Sequence, residues 1–529
     1  MGNKKLQVWL PLLFSVVMII GMLIGYRLNK GGGKNGFFSS NKRSSLQEAL
    51  DLIRLRYVDS VQIDSLEGKA IQEMMSELDP HSVYLPPADL KEANDDLAGN
   101  FQGIGVEFNL FKDTVNVVYV IPGGPSEKAG LQIGDKITSV NGSPLSGKGF
   151  HTDEIKNYIR GPRGSEAKLQ VWRDGKQLAI TVTRGTIPVS AVDAGYMLSK
   201  TTGYIRLNKF TENSYEEFMA AMEVLKKQGM QQLVLDLRGN GGGFMNEAVD
   251  MADEFLDSEK LVVYMQGVNT KKREYRCKRP GLFEEGKLVL LVDELSASAS
   301  EVLAGALQDW CRARIVGRRT FGKGLVQEQY SLSDGAAIRL TIARYYTPLG
   351  RSIQRSYSKG KKIYMDELWE RYSSGEMYSR DSVRNHNTGK KFFNNCNDTL
   401  YDGDGITPDV FVPLDTSVYF DKLNIWFVGP KLNNYVYGYF LKHRNELNRY
   451  NSAAEFNRNF SVAQLWEGLV SQTAGDTLPT VSLSNPEKTE LQLRMKGLLA
   501  RYKWRNSGYF EVINTSDPVI RKALEIISK

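Results

Sequence analysis

The stretch QQLVLDLRGNGGG, Gln231 to Gly243, sets the architecture. An apolar run of strand length stops at a charged pair and then at glycines, the pattern of a buried strand ending in a tight loop. An amphipathic helix precedes it, Ser214 to Gln228, with Phe218, Met222 and Leu225 turned inward, and before that GYIRLNKF reads as another strand. Downstream come a helix near Met245 to Leu256, the strands LVVYM and KLVLLVD, a helix beginning near Ser298, and β-rich sequence to Tyr346. Alternating strands and helices predict an α/β core whose active positions lie on loops at strand ends.

Three such loops can carry chemistry. In DLRGNGGG the glycines Gly241 to Gly243 let backbone approach a ligand and aim N–H groups at it, although a plain flexible turn uses the same residues. In DELSASASE, Ser298 and Glu301 stand three apart at a helix start, so taken alone the pair is a capping box. The third stretch, GRRTFGKG from Gly317 to Gly324, has P-loop spacing, but Gly324 replaces the Ser or Thr that would hold magnesium.

The three loops together describe a hydrolase. A serine nucleophile needs a base, and the four histidines, His81, His151, His386 and His443, are all remote in sequence from Ser298. A triad assembles in space, so a histidine stays open as the base; a neutral lysine is the alternative, provided desolvation lowers its pKa from about 10.4. Lys323, between two glycines and before Leu325 and Val326, suits such packing. The helix start after Ser298 and the glycine loop can each supply an oxyanion donor.

Between Asn100 and Gly185 the pattern becomes short strands and Gly-rich turns. FQGIGVEFNL places a glycine-bracketed turn before a strand with Val106, Phe108 and Leu110 on one face, and NVVYVIPGGPSEKAGLQIGDKITSVNG adds strand, turn, short helix and strand. This order resembles a PDZ domain, with Gly103, Ile104, Gly105 and Val106 as the turn whose N–H groups hold a terminal carboxylate while the peptide adds a strand.

SASASEVLAGALQD, GRRTFGKGLVQ, DLRGNGGG, YYTPLGRSIQ and GITPDV, in that family's order behind a PDZ-like segment, resemble the signature segments of the carboxyl-terminal processing peptidases, or tail-specific proteases. The resemblance runs from about Leu46 to Val412. It implies a serine endopeptidase with a Ser-Lys pair: Ser298 as nucleophile, Lys323 as general base, Gln327 orienting the lysine, and the amides of Gly243 and Ala299 as oxyanion donors. It implies no cofactor and no metal, and as partners protein or peptide substrates with free carboxyl termini. Two other functions fit parts of the sequence, a catalytically silent PDZ scaffold and a P-loop-like nucleotide binder.

At the amino terminus LQVWLPLLFSVVMIIGMLIGY, Leu6 to Tyr26, is an apolar run of about 20 residues behind Lys4 and Lys5, the length that spans a bilayer. With no small-residue cleavage site it reads as an uncleaved signal anchor, which places the chain in the cytoplasmic membrane as a single-pass protein with an exported body, periplasmic or otherwise extracytoplasmic. The expected organisation is therefore multidomain α+β and α/β: an anchor (1–30), a Gly/Ser/Lys-rich tether (31–45), a small helical unit without evident chemistry (46–98), a PDZ domain (99–186), a Ser-Lys peptidase core (187–413) and a helical extension (414–529). A polar insertion at about 355–403 reads as a lid or docking arm, and the extension as an oligomerisation or adaptor element. A net charge of +7 is small beside 68 basic and 61 acidic residues, and no basic stripe interleaves with aromatics, so nucleic acid is not an expected partner. Cys277, Cys311 and Cys396 are too widely spaced for a zinc site or a disulfide framework, and at most one disulfide can form.

Overall fold

The computed structural model describes residues 9, 14–23, 44–111, 113–257, 259–379, 389–415, 423, 426–427, 430–473 and 483–529. It divides into two units, Met1–Met74 and Met75–Lys529. Most of the proposed anchor and tether lies outside the described residues; Trp9 and residues 14–23 are helical. Among the described residues no helix is long and apolar enough to cross a membrane. The first unit also holds the helix Ser45–Arg56, started by Ser44, whose hydroxyl accepts from the Gln47 amide.

In the second unit a six-stranded sheet forms the centre, in the order Val192–Met197, Thr202–Leu207, Gln232–Asp236, Leu288–Val292, Arg314–Gly317 and Val410–Phe411. The first pair is antiparallel and the remaining pairings are parallel. Strand alternation sorts the side chains. Leu233, Leu235, Leu288, Leu290 and Val292 face helices Ser214–Lys227, Met245–Asp253 and Ala299–Asp309, while Val234, Val289, Leu291 and Val316 face Val519, Ile520, Ala523 and Ile527. The helix Pro518–Ser528 thus covers the second face of the sheet, so the end of the extension belongs to the core. Arg238 donates to Asp517 at 2.7 Å and fixes that helix beside the glycine loop.

The 46–98 segment differs from the helical unit expected. Val83–Leu85 is a strand, paired antiparallel with Ala337–Tyr346, and helix Pro87–Ala98 follows it. Short β-branched and aromatic sequence just before Pro86 suits an edge strand better than a helix. From there the chain runs through the ribbon Asn100–Gly103, paired with Gly185–Pro188, into a sheet whose edge strand is Val106–Phe111, with helix Thr152–Ile159 beside it.

Two further segments pack on the rest of this unit. The insertion is packed rather than loose: buried Arg371, on helix Lys361–Ser373, donates to the carbonyls of Thr320 at 2.7 Å and Phe321 at 3.2 Å, and buried Arg319 pairs with Glu376 at 2.7 Å. It buttresses the 317–324 loop, and a disulfide, Cys311–Cys396, ties it to the end of helix Ala299–Asp309; residues 380–388 lie outside the described residues. The middle of the extension packs on the PDZ-like sheet: Val118 joins the cluster containing Tyr437, Phe440 and Leu499, and the Tyr437 hydroxyl donates to the Val117 carbonyl at 2.7 Å.

Candidate active site

The strand Leu288–Val292 ends in a turn that delivers Ser298 to the start of helix Ala299–Asp309. Ser298 has φ 57 and ψ −114, a left-handed backbone that a residue with a Cβ holds only where its surroundings enforce it. Gly242 is part of those surroundings: a Cβ there would lie 2.7 Å from the Ser298 Cβ and 2.7 Å from the Ala297 carbonyl oxygen. Gly243, at φ 146, sits against Phe210, whose carbonyl accepts the Phe244 amide at 2.8 Å. Among the described residues no acceptor is bonded to the amides of Gly243 and Ala299, so both remain available as donors. The glycine loop is anchored below by Asp236, fully buried between Arg206 and Arg238 at 2.9 and 2.7 Å. Those guanidiniums hold its carboxyl far below the usual carboxylate range despite the burial that opposes this.

Glu301 does more than cap. Its fully buried carboxylate accepts from the Ser298 and Lys323 amides through Oε2, at 2.9 and 2.8 Å. Through Oε1 it accepts from the Thr320 hydroxyl at 2.5 Å and the Gly322 amide at 2.7 Å. The capping-box contact is therefore also a clamp between the serine turn and the lysine loop. With Gly324 donating to Gln354 Oε1 at 2.8 Å, the amides of residues 322 to 324 are all engaged, so the loop is no phosphate cradle.

Lys323 reaches a cleft of about 540 Å³ whose walls also carry Ser298, Gln327, Gly243 and Arg339. Its Nζ donates to Gln327 Oε1 at 3.0 Å, and Gln327 Nε2 donates to the His81 carbonyl at 2.6 Å. No hydrogen bond joins Ser298 to Lys323 among the described residues. Burial lowers the lysine's pKa, helped by the charge of Arg339 and opposed by Glu301 and Asp79. His81, half-buried and beside Lys323, is pushed down to about 3 by desolvation and by the neighbouring Lys323 charge, so it is neutral and no imidazolium competes for the site. Its Nε2 pairs with the Tyr364 hydroxyl at 2.9 Å.

The structure thus brings Ser298, Lys323, Gln327 and Gly243 to one cleft, with Ala299 next to the serine. The sequence reading missed His81, the helix Pro87–Ala98 that adds Ala93, Asp96 and Leu97 to the cleft, and the clamping role of Glu301. A signal for the last existed: Glu301 is the one charged residue in ASEVLAGAL, the first nine residues of the helix.

The second predicted site is a groove of about 320 Å³ between the edge strand Val106–Phe111 and the helix Thr152–Ile159, with Gly103 to Val106 at one end. The carbonyl of Ile104 accepts from the Ser126 amide at 3.0 Å and that of Gly105 from the Ile121 amide at 3.2 Å. With those carbonyls turned inward, the Ile104 and Gly105 amides have no acceptor among the described residues. Arg160, at the end of the helix, lies over the Phe101 ring at 4.8 Å and pairs with Glu92 at 3.7 Å, so it borders the groove.

Comparison with known proteins agrees with this layout. Residues 201–360 match the model of peptidase family S41, 117–173 that of the PDZ domain, and 431–505 a family of unknown function. A carboxy-terminal-processing protease of Bartonella bacilliformis is 34% identical over 351 residues, spanning 65% of this chain and 80% of that protein. The chain belongs to peptidase family S41. It is a serine peptidase carrying a PDZ domain. A probable CtpA-like serine protease of Staphylococcus epidermidis is 33% identical over 358 residues, 67% of this S41 peptidase and 70% of the relative. Among solved structures, a photosystem II D1 C-terminal processing protease is 28% identical with a TM-score of 0.37, over 72% of this chain and 88% of that one.

Proposed function

We propose that this S41 peptidase cleaves exported proteins near their carboxyl termini, with Ser298 as nucleophile, Lys323 as general base and the PDZ groove reading the substrate's tail. The observation that carries the chemistry is a desolvated lysine held by Gln327 on the wall of the cleft that also exposes Ser298. Neutral Lys323 takes the Ser298 hydroxyl proton as Oγ attacks the scissile carbonyl. The oxyanion that forms meets the Gly243 and Ala299 amides, helped by the positive end of helix Ala299–Asp309. The lysine then returns the proton to the leaving amine, and water repeats the sequence on the acyl-enzyme. Gln327 fixes the amine through one oxygen acceptor, leaving its lone pair for the serine.

The two unengaged amides at Ile104 and Gly105, beside an open edge strand, support capture of a terminal carboxylate with strand addition. The apolar run Leu6 to Tyr26 would hold the enzyme in the cytoplasmic membrane with its body outside. An intact Ser298, Lys323 and Gln327 set argues against a silent scaffold. The test is hydrolysis of a free-acid peptide. Ser298→Ala and Lys323→Ala should both be inactive, and so should Lys323→Arg, because guanidinium does not deprotonate in a protein. An active Lys323→Arg enzyme would remove the lysine from its role as base.

A further inference from the structure

The PDZ groove is not made by the PDZ domain alone. Helix Asn485–Ile513 of the extension breaks at Trp504 and Arg505, and the break brings Arg501 and Arg505 to the groove's rim. Arg505 stands at φ 61, where a bulky residue is strained unless the fold holds it. Its guanidinium lies 3.6 Å from the Tyr119 ring centroid and donates to Glu107 Oε1 at 2.6 Å. Arg501 lies 3.8 Å from the same carboxylate and donates to Asn506 at 3.0 Å. Two guanidiniums therefore share one carboxylate, and both remain partly exposed, at 47% and 40%. Lys156 and Arg160 on the opposite wall leave the groove lined by four cations and one anion, Glu107.

Strand geometry says which part of a bound tail these arginines meet. Val106, Phe108 and Leu110 pack toward the PDZ core, so Glu107, the Tyr119 opposite it and Arg505 occupy the other face. A peptide added antiparallel to Val106–Phe111 alternates in the same way. If its last side chain enters toward Ile104, Val106 and Ile159, those of the second and fourth residues from its end point to the arginine face.

We propose that Arg501 and Arg505 form a specificity subsite for an acidic side chain at the second or fourth position from the carboxyl terminus of a peptide ligand. This rests on the groove being the tail site, and it gives the extension a function in substrate choice.

The test uses the full chain carrying Ser298→Ala, so that peptides survive, and fluorescence anisotropy with labelled free-acid decapeptides. Glu at the second or fourth position from the end should bind about threefold to fivefold more tightly than Gln there, as suits partly exposed charge pairs, and the gap should shrink with added salt. Any effect of Glu at the third position, which faces Lys156 and Arg160 on the opposite wall, should be unchanged when Arg501 and Arg505 are both replaced. Arg501→Gln combined with Arg505→Gln should erase the preference without changing the preference for free acid over carboxamide. Glu107→Gln, which frees both guanidiniums, should enlarge it; this variant still decides the matter if the arginine variant is poorly folded by thermal unfolding. Equal binding of the Glu and Gln peptides overturns the proposal, and so does a preference that survives in the double variant. A double variant that binds every peptide more tightly overturns it too, because the helix would then be an obstruction. If free acid and carboxamide bind equally while the Glu preference persists, the carboxylate reading falls and the arginine subsite stands. Binding of no peptide removes both.

Discussion

Glu301→Gln isolates the clamp between serine and lysine. The carboxylate is fully buried and takes four donors, two on each oxygen. Glutamine keeps the shape but turns one oxygen into a donor. The less costly orientation puts the NH2 toward Thr320 and Gly322, since the opposite one would orphan the Ser298 and Lys323 amides together. Even so the Gly322 amide loses its acceptor, at about 1–3 kcal/mol, and two charge-assisted bonds become neutral, at about 1 kcal/mol each. A neutral amide is easier to bury than a charge, consistent with the raised pKa that burial gives Glu301, and this offsets part of the loss. The net expectation is about 2–4 kcal/mol of stability. If about 2–3 kcal/mol is felt as misalignment of serine and lysine in the transition state, kcat/KM falls by roughly 30- to 150-fold. Thermal unfolding and hydrolysis of a free-acid peptide, measured on the same preparation, separate the two effects. A variant with wild-type Tm and kcat/KM within about threefold of wild type would refute the clamp.

Three other perturbations test neighbouring links. Only neutral Lys323 accepts the proton, and burial followed by the Arg339 charge lowers its pKa, so kcat/KM should climb with pH and level off below the ordinary lysine value of about 10.4. Folding releases that proton, so the same residue should add stability as pH rises through this window, and a rate that is flat or falls there contradicts the assignment. Gly242→Ala places a methyl 2.7 Å from the Ser298 Cβ at a position with φ 95, and should abolish hydrolysis while tail binding persists; a variant with near-normal turnover would show that the serine turn is not held from this side. Removal of residues 1–42 should move the enzyme from the membrane fraction to the soluble fraction with its peptidase activity intact, and retention in membranes would place the anchor elsewhere.

What the sequence revealed and what it hid follow one physical divide. Ser298 and Lys323 stood out as candidates because a helix start and flanking glycines state their backbone geometry locally, whereas Gln327, between Val326 and Glu328, entered only through the family resemblance. The buried strands were readable from apolar runs of the right length. The partnership of Gln327 with His81 was not, because nothing in HSVYLPP declares that a carbonyl there faces a residue 246 positions away. Glu301 looked like a cap because its nearest donor is local, while its other donors come from a loop about 20 residues on that only the parallel sheet brings near. Arg505 hid for a related reason. The break that exposes it contains neither Pro nor Gly, and its acceptor Glu107 is 398 positions away.

Edge strand Val83–Leu85 has a temporal consequence. It is synthesised before the whole PDZ domain, yet its partner Ala337–Tyr346 comes after most of the peptidase sheet. Closing so long a loop comes late in folding, because its entropy must be spent before the contact returns anything. The His81 carbonyl therefore cannot steady Gln327 until nearly the whole core has been made and has left the ribosome. A protease assembled in that order lacks its finished lysine site during its own synthesis, and gains it only when there is a folded molecule around it.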